Sequence, residues 1–164
     1  MGGVDELVAR YGRALTVYTA RITRDPERAR DIMQDTFLRF HRIQPAGGES
    51  DLRAWLYTVC RNLALDQLRK DRPMHVVEAS PDLPDTRPSA SEALEASEAK
   101  TSMMRFLAAL PEPQQEVIRL KFQGSLSYKE ISGVTKLSVS HVGVLIHQGI
   151  KALRAQMAEE GGAR

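Results

Sequence analysis

Residues 125–154 read SLSYKEISGVTKLSVSHVGVLIHQGIKALR, two helical patterns separated by three or four residues. Ser127 can cap the first, because a serine hydroxyl accepts from a free amide of the first turn, and Glu130 three residues on completes a capping box. Ile131 and Val134 then face inward. Ser138 suits the cap of the second helix, whose apolar stripe is Val142, Leu145, Ile146, Ile150 and Leu153 at helical spacing. Leu137 lies between the two, where a helix-turn-helix requires a buried apolar plug. Such a unit presents the exposed N-terminal half of its second helix to the DNA major groove while the first crosses the backbone. The exposed candidates are Ser140, His141 and Gly143, with His147, Gln148 and Lys151 further along. Taken alone, the pattern also fits a plain helical hairpin in a core.

Working back from this stretch, every segment with a clear period is helical. Leu94, Met103, Met104, Phe106, Leu107 and Leu110 predict a helix over 91–110. LPEP then marks a turn, and Gln114 to Phe122 reads as a short buried helix with Val117, Ile118, Leu120 and Phe122 inward, ending at Gly124. At the other end of the chain, Val4, Leu7, Val8, Tyr11, Leu15, Tyr18 and Ile22 recur at three- and four-residue steps. Asp25 and Pro26 then read as an N-cap and a first-turn proline, opening a second helix with Ala29, Ile32, Met33, Thr36, Phe37, Phe40 and Ile43 buried. After the loop PAGGES a third helix carries Leu52, Trp55, Leu56, Val59, Cys60, Leu63, Ala64 and Leu68, stopped by Asp71, Arg72 and Pro73. From 73 to 90 four prolines interrupt a stretch without periodicity, which reads as a linker. The expectation is an all-α chain: two small helical domains, 1–72 and 91–164, joined by a flexible acidic linker at 73–90.

The length of 164 residues permits one mid-sized domain or two small ones and excludes a large multidomain enzyme. Lys and Arg number 23 against 21 acids, which by itself singles out no partner. The distribution is more informative. Residues 78–98 carry a net charge of −5, 53–72 of +3 and 100–154 of +5, so two basic modules flank an acidic tether. Ordinary solvated helix faces carry such charges too. One cysteine, Cys60, rules out an internal disulfide and a cysteine metal cluster, and its place on an apolar stripe makes it a small core residue. No apolar run approaches the ~18 residues of a membrane span, and MGGVDELVARYG lacks the form of a signal peptide. Glu6 also stands where a myristoylation motif needs Ser or Thr. A cytoplasmic protein without membrane insertion is expected.

Three strings together resemble a bacterial RNA polymerase sigma factor of the extracytoplasmic-function (ECF) type: ARDIMQDTFLRFHR at 29–42, LRAWLYTVCRNLALDQLRKDRP at 52–73, and LPEPQQEVIRLKFQGSLSYKEIS at 110–132 with the helical pattern after it. They stand in the family's order and spacing, with its tether. The resemblance implies a promoter-melting domain, region two, linked to a helix-turn-helix domain, region four. It assigns the first string to docking on core RNA polymerase through Asp31, Gln34, Asp35, Leu38 and Arg42, one exposed mixed face. It assigns the second to the minus-ten element, where single-stranded DNA requires cations and base-binding side chains: Ser50, Arg53, Tyr57, Arg61, Asn62, Asp66, Arg69 and Lys70, with the loop 48–51 shaping a pocket for an extruded base. Trp55 could stack on a base, yet it sits on the core stripe with Val59.

The third string is assigned to the minus-thirty-five element through Ser127, Tyr128, Lys136, Ser138, Ser140, His141, His147 and Lys151. It departs from the family twice. Lys136 occupies the turn where many relatives have glycine, a cost of about 1 kcal/mol if left-handed. The recognition helix also lacks basic residues often found at the positions of Gly143, Leu145 and Gln148, so fewer phosphate contacts are expected. The implied partners are core RNA polymerase, promoter DNA and an anti-sigma factor. No catalytic residue, cofactor or metal is expected: Cys60, His41, His75, His141 and His147 are scattered, and no phosphate loop or metal spacing occurs. A sigma-like decoy that binds an anti-sigma factor without initiating transcription stands as the alternative.

Overall fold

The computed structural model describes residues 3–71 and 98–162. The linker expected at 73–90, His75 and the start of the helix expected from Ser91 lie outside the described residues. All regular structure among the described residues is α-helical, in two compact units.

The first unit holds three helices, α1 (Val4–Thr23), α2 (Pro26–Ile43) and α3 (Glu49–Lys70), each packed on the other two. Asp25 caps α2 as the sequence predicts, its carboxylate accepting from the amides of Glu27 at 3.0 Å and Arg28 at 3.5 Å. Arg24 and Gln44, both left-handed, close α1 and α2, their amides donating to Ala20 and Phe40 carbonyls. Gly47 adopts φ +118, and a side chain there would run into Asp51, so the turn before α3 demands glycine.

The first core is mixed in chemistry. Leu15, Ile32 and Leu56 are fully buried, each contributing about 1.5–3 kcal/mol by leaving water. Beside them lie Thr19, Thr36 and Cys60. The Thr36 hydroxyl donates to the Ile32 carbonyl at 2.8 Å and stands 3.3 Å from the Cys60 sulfur, which satisfies it inside the core. Burial pushes the Cys60 thiol pKa up, keeping it a neutral packing group.

The remaining helices are α4 (Glu98–Ala109), α5 (Glu112–Phe122), α6 (Tyr128–Thr135) and α7 (Val139–Gly162). α7 is the mast on which α4 and α5 pack. A Cβ at Gly149 would collide with the Ile118 side chain, so this glycine lets α5 and α7 approach closely. Leu120, Leu126, Ile131, Val142 and Ile146 fill the aliphatic core. Gln115 and Arg119 are buried and paired. Gln115 donates to the Ala108 and Leu110 carbonyls, both at 3.4 Å, and accepts from Arg119 at 3.3 Å, tying α5 to the end of α4.

The periodicity misplaces several residues. α3 begins at Glu49, so 49–51 form its first turn, with Asp51 accepting from the Gly48 amide at 3.2 Å; the loop expected at 48–51 is not there. α5 begins at Glu112, two residues early, because proline at its second position is compatible with a first helical turn. Ile43, Val8, Met104 and Phe122, expected inward, are exposed, since each lies at the edge of its stripe or in a terminal turn.

Candidate docking and nucleic-acid interfaces

On α2, Asp31, Gln34, Leu38 and Arg42 are exposed at three- and four-residue spacing, opposite the buried Ala29, Ile32 and Phe37. Asp35 is half-buried and accepts from the Arg39 Nε at 3.2 Å. Leu38 is 65% exposed, an apolar side chain held in solvent among charges. A face of that composition suits a partner helix: the leucine offers area to bury and the charges orient the approach. Arg39 escapes the sequence reading, although its place four residues after Asp35 signals the pair.

Along α3, Asn62, Asp66, Arg69 and Lys70 are exposed on one outer side, whereas Arg53 and Arg61 are half-buried and Arg53, nine residues before Asn62, projects from the opposite side. Ser50 is exposed in the first turn. Asp66 accepts from Arg69 at 2.8 Å, leaving Lys70 the more available cation of the last turn. Asp71 beyond the helix pairs with Arg28 of α2, which holds this basic end in place. Tyr57 does not belong to this surface. It is 4% exposed and packs edge-on against Tyr18, with ring centroids 5.1 Å apart, and burial pushes its hydroxyl pKa up to about 12. The resemblance grouped it with the minus-ten residues, but it lies next to Leu56 at the border of the stripe, and an aromatic ring there gains most by turning inward. Trp55 is half-buried and meets Phe40 edge-to-face at 6.2 Å, in line with a core role.

The helix-turn-helix has the expected local chemistry. Ser127 accepts from the Glu130 amide at 3.1 Å while Glu130 accepts from the Ser127 amide at 2.8 Å. Lys136 ends α6 in the left-handed region, φ 67 and ψ 16, and its amide donates to the Ser132 carbonyl. Leu137 is half-buried rather than fully enclosed, and its carbonyl accepts from the Ser132 hydroxyl. The Ser138 hydroxyl accepts from the His141 amide at 3.0 Å, starting α7. Ser127, Tyr128, Lys136, Ser138, Ser140, His141, His147 and Lys151 are all exposed. Tyr128 lies alongside α7, where a Cβ added at Gly143 would stand 3.5 Å from its ring, and the Lys121 ammonium sits 5.4 Å from the ring centroid. Val144, named in the sequence reading neither in the apolar stripe nor among the exposed candidates, is 52% exposed.

Two family models match the chain, Sigma-70 region 2 over residues 7–73 and Sigma-70, region 4 over 100–153, together about three quarters of its length. The chain is 29% identical to the ECF RNA polymerase sigma factor RpoE of Cereibacter sphaeroides over 80% of this chain and 71% of that one. It is 28% identical to the RNA polymerase sigma factor YlaC of Bacillus subtilis over 95% and 92%, and 27% identical to the ECF RNA polymerase sigma factor SigL of Mycobacterium tuberculosis over 94% and 88%. Among solved structures, the sigma factor RpoE of Bartonella quintana, crystallised with the anti-sigma factor NepR, superposes with a TM-score of 0.66 over 94% of this chain and 96% of that one, at 18% identity, a likeness of fold. With both regions matched in order and relatives of one kind spanning most of the chain, the protein belongs to the ECF family of RNA polymerase sigma factors.

Proposed function

We propose that the chain binds core RNA polymerase and directs promoter recognition and transcription initiation. The observation that carries the reading is the presence of both sigma regions in one chain, in order, each with charged or polar site candidates on an exposed helix face. Region two spans 1–72 and region four 91–164, with 73–90 as tether. Asp31, Gln34, Asp35, Leu38 and Arg42 dock on the polymerase. Ser50, Arg53, Arg61, Asn62, Asp66, Arg69 and Lys70 engage the minus-ten strand, and Ser127, Tyr128, Lys136, Ser138, Ser140, His141, His147 and Lys151 the minus-thirty-five duplex. The chain works by binding and makes or breaks no bond. It acts where the polymerase is, in the cytoplasm; no helix among the described residues is long and apolar enough to cross a membrane. An anti-sigma factor is the expected inhibitor.

One observation favours the decoy reading: residues 139–150 contain no Lys or Arg, so this helix has few means to hold a duplex. Transcription from a promoter library with purified core polymerase, with and without the protein, decides between the two. Initiation at a defined promoter set supports the sigma reading; tight core binding with no initiation at any promoter supports the decoy. Asp35→Lys and Leu38→Glu should each weaken core binding at unchanged helicity, and wild-type affinity in both would reject the α2 face.

A further inference from the structure

The buried residues of α7, Val142, Leu145, Ile146 and Leu153, gather on one side of the helix. Residues three and four apart share a face, so the stripe directly opposite is Ser140, Val144, His147 and Lys151, all exposed. Val144 stands in the middle of it. A β-branched apolar residue at a solvated mid-helix position forms helix less well than Ala, Lys or Gln would, and here it stays 52% exposed. On one flank the Tyr128 ring stands beside Gly143.

Across residues 139–150 there is no Lys, Arg, Asp or Glu. The common bidentate contact from Arg or Lys to guanine is therefore unavailable to this part of the helix, and so is carboxylate recognition of cytosine. The base-edge chemistry that remains is serine, histidine and glutamine hydrogen bonding, together with the methyl pairs of two exposed valines, Val139 and Val144, of which only Val144 shares the stripe of Ser140, His147 and Lys151 opposite the core. In the major groove the base feature that matches a methyl pair is the thymine C5-methyl. Resting on the reading of the chain as a promoter-binding subunit, we infer that Val144 is a specificity-determining residue that selects a thymine in the upstream promoter element by contact with its C5-methyl group.

Deoxyuridine differs from thymidine by that methyl alone, which makes the test independent of any effect on pairing. The full chain with core polymerase first selects its upstream element from a randomised duplex. Each thymine of the selected element is then replaced singly by deoxyuridine, and binding is compared for wild type and Val144→Ala at fixed salt. The expected result is one position at which the replacement costs wild type about fourfold in affinity, the scale of one buried methyl-sized group. Val144→Ala should be weaker by a similar factor on the thymine duplex and indifferent to the replacement. A wild-type protein indifferent to deoxyuridine at every position would overturn the assignment, whatever the variant does. Equal weakening of Val144→Ala towards core polymerase without DNA would overturn it as well, making Val144 a protein contact. A holoenzyme that selects no sequence at all would overturn the promoter reading and the assignment together, whereas selection with deoxyuridine indifference overturns the assignment alone.

Discussion

α3 and α7 are the two helices proposed to meet DNA, and they differ in charge. α3 carries Arg53, Arg61, Arg69 and Lys70 against a single acid after its first turn, Asp66, while α7 carries no charge between Val139 and Ile150. Their supporting cores differ in the same sense. The core of α1–α3 contains hydroxyls, a thiol and three tyrosines, Tyr11, Tyr18 and Tyr57, whereas the one beneath α7 is aliphatic apart from Gln115 and Arg119. Single strands have a flexible charged backbone and little fixed groove geometry, so cations supply most of the affinity for them. A duplex groove offers fixed base edges, and an uncharged helix can contact it only if something else supplies affinity. In a two-region protein that something is the polymerase, which tethers α7 near its site and raises its effective concentration. The contrast between the helices is thus one between electrostatic grip and contact readout.

The largest effects expected concern the separateness of the two regions. Leu56→Ala and Leu120→Ala each leave a hole in a different core, and such truncations cost about 2–5 kcal/mol. Amide hydrogen exchange should then accelerate in α1–α3 for the first variant and in α4–α7 for the second. Acceleration across both regions in either variant would break the comparison by showing one cooperative body. Next in size is the salt response. Arg69→Ala and Lys70→Ala should lower the slope of log affinity for minus-ten single strands against log salt by about 0.7 per residue, from counterions no longer released. Asp66 already neutralises part of Arg69, so the Lys70 change should be the greater. His141→Ala should leave the slope for duplex binding unchanged while altering base preference at one or two upstream positions. A slope change there would mean that α7 grips phosphates after all.

Helix existence and order were legible in the sequence because the apolar stripes are long and the caps are local chemistry. Asp25 with Pro26, and Ser127 with Glu130, do in space what their spacing says, since a cap involves residues two or three apart. Surface placement was legible for most candidate residues on the same periodic grounds. The failures share a cause. Tyr57 sits where the stripe meets the outer face, and only the position of Tyr18 on another helix decides which way its ring turns. Glu49 looks like a loop acid, yet it accepts a hydrogen bond from Tyr11 at 2.9 Å and pairs with Arg10 at 2.7 Å, contacts 38 and 39 residues distant that no local pattern encodes. Val144 lies outside the apolar stripe, yet an apolar residue is not sought on a DNA-facing surface when polar and basic side chains are the signal looked for.

Smaller effects probe the helix-turn-helix itself. Ser127→Ala removes one half of the capping box and should cost about 1 kcal/mol, read as a lower melting temperature of the second region alone. The smallest concerns Lys136, whose φ of 67 places a Cβ-bearing residue in the left-handed region at the end of α6. Strain of roughly 1 kcal/mol is expected there, and glycine would relieve it at some cost in chain entropy, so Lys136→Gly should stabilise the second region by about 0.5 kcal/mol net. Lys136→Ala is the discriminating control. It keeps the Cβ and removes the charge, so it should leave stability near wild type while weakening duplex binding as much as Lys136→Gly does. If alanine stabilises as much as glycine, the ammonium and not the backbone is the source of strain. If neither variant weakens duplex binding, the turn has no phosphate beside it, and α7 must read DNA with even less electrostatic help than the contrast with α3 requires.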